Sequence, residues 1–210
     1  ATLLLAGVTL VFATTLALLL ASWAAARPNS PADKVIRIVS LVGVAMVDFW
    51  FAIILILVFA VGLGWLPTSG YGHVSNVILP AIVLSMQPLG RITQVARAAL
   101  IGELGKPYME TAVAKGIPLR QRLFVHAYRN ASIPIVTLIG AEAIALVNGA
   151  VIVETIFGWP GIGQLLIQAI QHRDIPLVEA VVFVVGVCIV LVNLVVDSTY
   201  AVLSPRLRAS

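Results

Sequence analysis

Residues 1–26 carry no charged side chain and end on Arg27-Pro28-Asn29-Ser30-Pro31. A run of this kind constrains the chain more than anything else in it. About 20 mainly apolar residues in a helix cross the roughly 30 Å of hydrocarbon in a bilayer. The pattern recurs over about 35–63, 76–100, 131–155 and 177–203. The second run closes on Gly62-Leu63-Gly64-Trp65-Leu66-Pro67, before a Gly/Ser turn region at 68–75. The expected fold is an all-α polytopic membrane protein of five spans, one domain over 1–210. Composition agrees. The chain is 60% hydrophobic and 10% charged, against about 45–50% and 25% in soluble domains. Its mean hydropathy is +1.07. That leaves too little polar surface for a soluble enzyme, a disordered chain or a nucleic-acid-binding domain. β-Barrel strands would alternate in segments of about ten residues, and none do. Cys188 is the one cysteine, which excludes a disulfide framework. The chain opens at Ala1, already inside an apolar run, so further residues are expected before it.

Charge placement sets the expected orientation. Arg27, Lys34 and Arg37 flank the first loop. Arg91, Arg97, Lys106, Lys115, Arg120, Arg122 and Arg129 lie in or beside the segment joining the third and fourth spans, and Arg206 and Arg208 sit in the tail. With alternating spans these fall on one side and Arg173 alone on the other. Positive charge accumulates inside, which puts the N-terminus outside and the C-terminus in the cytoplasm.

The segment 101–130 is the one long polar stretch. Pro107 suits a helix start, and Glu110 then falls in the first turn, where the dipole favours an anion. Ala112 and Gly116 are four apart and form a small-residue face. Gly116 breaks this helix and Pro118 starts another, with Arg120 and Arg122 polar and Leu119, Leu123, Phe124 and Ala127 apolar. Two short helices joined by a glycine bend are expected. Two readings stay open from the pattern: a hairpin lying on anionic lipid, or a docking surface for a soluble partner.

Ionisable groups inside spans are costly and by default functional. Asp48, beside Phe49, Trp50 and Phe51, lines a pore, pairs with a partner subunit or sits in a wet crevice. Glu142 faces a cavity or a neighbouring subunit. Glu154 and Glu179, near the outer ends of their spans, are expected in solvent, and Asp197 in a pair with a loop arginine. Gly158-Trp159-Pro160-Gly161-Ile162-Gly163 reads as a re-entrant turn with Trp159 at headgroup level, followed by a short helix at 164–171. Gly140, Ala141, Ala143, Ala145 and Gly149 give the fourth span a small face suited to close helix packing. Pro80 and Pro88 should kink the third span, and Cys188 fills space. There is no phosphate-binding Gly-rich loop, and His73, His126 and His172 lack metal-ligand spacing.

Glu110-Thr111-Ala112 with Gly116 resembles the EAA motif of ABC importer permeases. The wider string YMETAVAKGIPLRQRLFVHAYRNASIPIV is similar to the peptide/nickel branch, in its first-permease type. GWLPTSGYG from Gly64, VETIFGWPGIG from Val153 and VNLVVDSTYAVLSPRLR from Val192 fit the same branch. The stretch from Gly116 to Pro134 is longer than in the general EAA pattern, which favours this branch. Asp48 departs from it, where a small uncharged residue is expected.

The resemblance implies a type I ABC importer transmembrane domain in a bacterial plasma membrane. It implies a second homologous permease, two ATP-binding subunits that hold ATP and Mg, an external substrate-binding protein and a peptide substrate. The permease itself then has no catalytic residues, cofactor or metal, and no nucleic-acid partner. Glu110, Thr111, Ala112, Lys115, Gly116, Arg120 and Arg122 would form the contact that couples it to the ATPase, within a coupling loop over 101–130. Asp48, Trp50, Glu142 and Asn148 are the expected translocation-path residues; Asp48, on the pore-lining one of its three readings, would attract a peptide's N-terminal ammonium. Trp159, Pro160 and Gly161 would form an outer turn against the binding protein, which Glu154 and Glu179 could also meet. Nickel, haem and glutathione are substrates of similar importers. A non-transporting scaffold and a secondary carrier are the readings from other classes. A carrier is disfavoured by the lack of internal repeats. A scaffold would not need Asp48 or Glu142 inside the bilayer.

Overall fold

The computed structural model describes residues 1–203, without the side chains of 196, 197 and 199–203. The expected roles of Asp197, Arg206 and Arg208 therefore lie outside what is described. The described residues form helices and connecting turns, with no strand among them.

Helix α1, Thr2–Ala26, buries Thr9, Ala13, Ala17, Ala21 and Ala25, each four residues after the last. Burying large apolar side chains gains little in lipid, so close packing of small faces holds helices together there. This face lets α1 run along α4, Val74–Leu104. After the turn at Arg27, helix α2 runs over Pro31–Ala45. Pro31 opens it where a missing N–H costs nothing, and the Ser30 hydroxyl accepts from the Asp33 N–H at 3.2 Å. Asp33 in turn accepts from the Asn29 N–H at 2.9 Å.

The second span is not one helix. Met46 and Val47 are extended. A new helix, α3, starts at Asp48 (Asp48–Leu55) and continues as a π-helix over Ile56–Gly62. The two halves meet at 104°. Neither glycine nor proline lies at the break. The course of α2 is set earlier, where it crosses α4 backbone to backbone. A Cβ on Gly90 would lie 2.5 Å from the Ser40 carbonyl oxygen, and one on Gly43 would lie 3.0 Å from that of Met86. Beyond the break, α3 packs on α4 and α7. Asp48 is thus a first-turn residue of a helix, where the dipole favours its charge, rather than the middle of a continuous span.

The expected third span lies within α4, which is 31 residues long and runs through the buried Pro80 and Pro88. It is central, packed against α1, α2, α3 and α7. It is not among the helices apolar enough to cross a membrane by composition. Those are Thr2–Ala26, Leu119–Ile156 and Ile175–Val195, with the bent pair as a fourth. The polarity of α4 comes from Gln87, Arg91, Gln94 and Arg97, which lie along it.

At the C-terminal end of α4 lies α5, Pro107–Ala114. The second short helix expected after Pro118 is the beginning of a much longer one. α6, Leu119–Gln121, a π-helical turn over Arg122–Ala127 and α7, Tyr128–Ile156, form 38 continuous helical residues. α8 covers Ile162–Gln171 and α9 covers Ile175–Leu203.

Two apolar cores occupy opposite ends of the bundle. One gathers Leu5, Leu55, Leu79, Leu146, Val153 and Trp159. The other gathers Ala21, Leu100, Met109, Leu123, Ala127 and Ile135 at the α5 end. Leu5 and Ala21 are about 24 Å apart along α1 at 1.5 Å per residue. Between the cores, in chain order on both α4 and α7, come Gln87, Arg91 and Glu142.

Candidate functional site

The polar residues between the two cores form one connected chain. Gln87 and Arg91, four apart on α4, share a face. The Gln87 Nε2 donates to Asp48 Oδ1 on α3 at 3.3 Å. Its Oε1 accepts from Arg91 Nη2 at 3.2 Å. Arg91 Nη1 meets Glu142 Oε1 on α7 at 3.2 Å. Asp48 and Glu142, 94 positions apart in the sequence, are thus joined through two residues of a third helix. The Glu142 side chain is 5% exposed and that of Arg91 44%. Arg91 is therefore not a loop charge. It sits 13 residues before the end of α4, about 20 Å along the helix.

The other two expected path residues stand apart from this chain. Trp50 is 68% exposed on α3. Asn148 lines a separate cavity of about 140 Å³, with Thr2, Gly163 and Cys188.

Arg97, also placed beside the loop by charge counting, lies in α4 and grips Asp33. Its Nη2 donates to Oδ2 at 2.7 Å and its Nε donates to Oδ1. These bonds hold the Asp33 carboxyl below its ordinary range, against burial that pushes it up. The pair fastens α2 to α4. The sequence marks the helix start, since Ser30-Pro31-Ala32-Asp33 has the capping-box spacing, but carries no sign of the partner 64 positions on.

At the α5 end, Met109 and Ala112 face inward and are buried. Glu110, Thr111, Lys115, Gly116 and Arg120 are exposed, and Arg122 is half-buried with no partner for its Nε. Ala112 and Gly116 therefore do not share one open small-residue face. Gly116 closes the helix. It has φ +73°, its N–H donates to the Val113 carbonyl at 2.9 Å, and the Ile117 N–H donates to that of Ala112 at 3.1 Å. This is a Schellman cap, which needs a left-handed residue. The base of α5 is tied down by Lys106 and Tyr108, both donating to Glu103, and by Asn130 donating to the Tyr108 hydroxyl at 2.9 Å. Burial raises the Glu103 carboxyl, but these donors outweigh it and hold it below its ordinary value.

At the other end, Glu154 is wholly buried, not in solvent. Its Oε2 accepts from the N–H groups of Gly163 at 2.8 Å and Gln164 at 3.3 Å. The Ile162 N–H donates to the Thr2 hydroxyl at 2.8 Å. The first three N–H groups of α8 are thus all bound, two of them by the Glu154 carboxyl group. Trp159 is 1% exposed, so it is a core residue rather than a headgroup anchor. Tyr71 packs edge-on to it with centroids 4.8 Å apart, and the Gly70 N–H donates to the Phe157 carbonyl at 3.1 Å. Pro160 forms the exposed tip. Glu179 is exposed on α9.

Residues 17–209 match the family model described as "Binding-protein-dependent transport system inner membrane component". The chain is similar to the di/tripeptide transport system permease protein DppB of Pseudomonas aeruginosa, at 40% identity over 99% of this chain and 70% of that protein. It is 36% identical to the oligopeptide transport system permease protein AppB of Bacillus subtilis, over 99% of this chain and 69% of that one. It is also 36% identical to the dipeptide transport system permease protein DppB of Escherichia coli, over 99% and 70%. The chain belongs to the family of binding-protein-dependent transport system inner membrane components.

Proposed function

We propose that this chain is the pore-forming permease subunit of an ATP-driven importer that moves dipeptides or oligopeptides across the plasma membrane. The observation that carries the reading is its similarity, over 99% of its length, to permeases named for peptide transport. The chain pairs with a second homologous permease and receives peptide from an extracytoplasmic binding protein. Separate ATP-binding subunits hydrolyse ATP. It runs from outside at the N-terminus to cytoplasm at the C-terminus, so that the α5 end faces inward with most of the described cations.

In this reading the exposed side of α5 and the turn after it, Glu110, Thr111, Lys115, Gly116 and Arg120, meets the ATPase. Ala112 and Met109 anchor that helix to the bundle. Because α6 continues into α7, a push on the loop reaches Glu142 through one helix. The turn at 159–161 lies on the opposite end, where the binding protein docks. The test is uptake by the complete assembly in proteoliposomes, with labelled dialanine, oligoalanine, nickel, haem and glutathione as competing cargo. ATP- and binding-protein-dependent accumulation of the peptides is expected. Accumulation of another cargo with no peptide uptake would overturn the substrate. A lone subunit that purifies with neither ATPase nor second permease would overturn the assembly.

A further inference from the structure

The chain of polar groups between α3, α4 and α7 has an order that the chemistry of its members dictates. Arginine only donates and a carboxylate only accepts. With Arg91 on one side and Asp48 on the other, the Gln87 amide has a single workable orientation: oxygen toward Arg91, nitrogen toward Asp48. Arg91 and Glu142 cancel each other's charge. Asp48 is left with one neutral donor at 3.3 Å, and its Oδ2 has no hydrogen-bond partner among the described residues. The cluster as a whole carries one uncompensated negative charge, and that charge lies at Asp48.

The surroundings point the same way. Ionisable groups at membrane depth face protein or a water-filled cavity rather than lipid. Arg91, 44% exposed near the middle of α4, therefore borders a water-filled path or the second subunit rather than lipid. Size decides which end of a peptide fits. Asp48 Oδ1 and Arg91 Nη2 are joined by two hydrogen bonds across one amide, at most about 9 Å apart. An extended dipeptide spans about 7 Å, and a charged contact of about 2.8 Å at each end takes its reach past 12 Å. An extended peptide cannot hold Asp48 and Arg91 with its two ends, and Arg91 is already neutralised. The site takes a cation.

We propose that Asp48, Gln87, Arg91 and Glu142 form one subsite for the free ammonium of a transported peptide. Asp48 is the binding residue, and Gln87, oriented by Arg91, is the positioning residue. This rests on the peptide-importer reading and names the place and chemistry of cargo contact within it. Glu142 holds Arg91 rather than the cargo. Trp50 and Asn148, which touch none of these bonds, take no part.

The experiment compares dialanine with N-acetyl-dialanine, which differ in the ammonium. Saturation-transfer NMR on the purified permease–ATPase complex in nanodiscs reads binding without the binding protein. Dialanine uptake by the whole assembly reads KM and kcat separately. In the wild type the free-amine peptide should give the stronger signal. Loss of one charge-assisted contact is about tenfold, so Asp48→Asn should equalise the two peptides and raise the uptake KM about tenfold with kcat little changed. Gln87→Leu keeps the charge but not the orientation, and should weaken the preference about threefold. Asp48→Glu should retain it. Asp48→Asn and Gln87→Leu with wild-type preference would overturn the proposal while leaving peptide import intact. So would failure of both variants to assemble, which would make the cluster structural. If the wild-type assembly imports no peptide, it is the broader reading that fails.

Discussion

Glycines at the two ends of the bundle sit in opposite surroundings. At the α8 end, a Cβ built on Gly161 runs into the Glu154 carboxylate, and one on Gly163 lies 2.5 Å from the Val151 Cα. At the α5 end, a Cβ on Gly116 meets nothing within 4 Å, yet its φ is +73°. Gly161 and Gly163 leave room for the chain's own carboxylate and helix. Gly116 supplies a backbone conformation and leaves open space beside it. One end is finished internally, with every early N–H of α8 bound. The other ends in an exposed, charged turn that is complete only as a helix cap.

The sharpest way to break this contrast is to add a side chain at each end. Gly163→Ala should be the more damaging change at this end, because its Cβ would meet the Val151 backbone at 2.5 Å, which cannot turn aside as a side chain can. Overpacking of this kind costs about 3 kcal/mol, and the thermal midpoint of the purified protein in detergent should fall by several degrees. Unchanged melting would mean that the turn is looser than its geometry. Glu154→Ala comes next. It strips acceptors from two buried or half-buried N–H groups of α8, a loss of about 1–3 kcal/mol. Hydrogen exchange should accelerate at Gly163 and Gln164 while α5 amides keep their rates. Equal acceleration at both ends would show that the ends are not independent.

Much of the fold was legible because charge-free length is a direct physical signal. α1, α7 and α9 follow from it, and α8 follows from the Gly-Trp-Pro-Gly turn before it. The break at Met46–Val47 was not legible, since neither residue disrupts a helix. Its one trace was Asp48, which was read as a pore charge when it also marks a helix start. Glu154 was placed in solvent because depth in a span was its only local cue. Its partners' N–H groups lie nine and ten residues on, across a turn whose geometry the pattern does not encode. Arg91 and Arg97 were counted with the loop because a charge near a span's end looks like a flank. Their partners, Glu142 and Asp33, lie 51 and 64 positions away. Asp48 and Glu142, the two carboxylates flagged at membrane depth, fall in one chain of polar groups. The link between them needed Gln87, which carries no charge to draw attention.

A middle-sized effect separates conformation from space at Gly116. Holding an L-residue in the left-handed region costs about 1–2 kcal/mol, and asparagine bears it better than most. Gly116→Ala and Gly116→Asn should therefore fold, the second more easily. Gly116→Val should abolish ATP-driven uptake in vesicles, by strain or by blocking a partner surface. Gly116→Asn distinguishes these. Uptake retained in Asn would make backbone conformation the whole requirement. Uptake lost in Asn, with the α5 amides still protected, would place a partner's surface against the Cα. Full uptake in the Val variant would remove Gly116 from coupling altogether.

The smallest effect is one of pH, and it compares two of the buried carboxylates, one at each end. Asp33 at the α5 end has a cation, Arg97, on both oxygens; the groups facing Glu154 in the turn are neutral N–H donors. The folded Asp33 carboxyl lies below its ordinary value of about 3.9. Its contribution to stability is complete above that unfolded value and is lost as pH falls through the lower folded one. Between pH 7 and 5 the tie between α2 and α4 should therefore not weaken through Asp33. Below about pH 4 it should loosen. Hydrogen exchange of the first-turn amides of α2, corrected for the intrinsic rate at each pH, measures this. Protection lost already at pH 5 would mean that Arg97 does not hold the carboxylate. α2 would then rest on its glycine crossing with α4 alone.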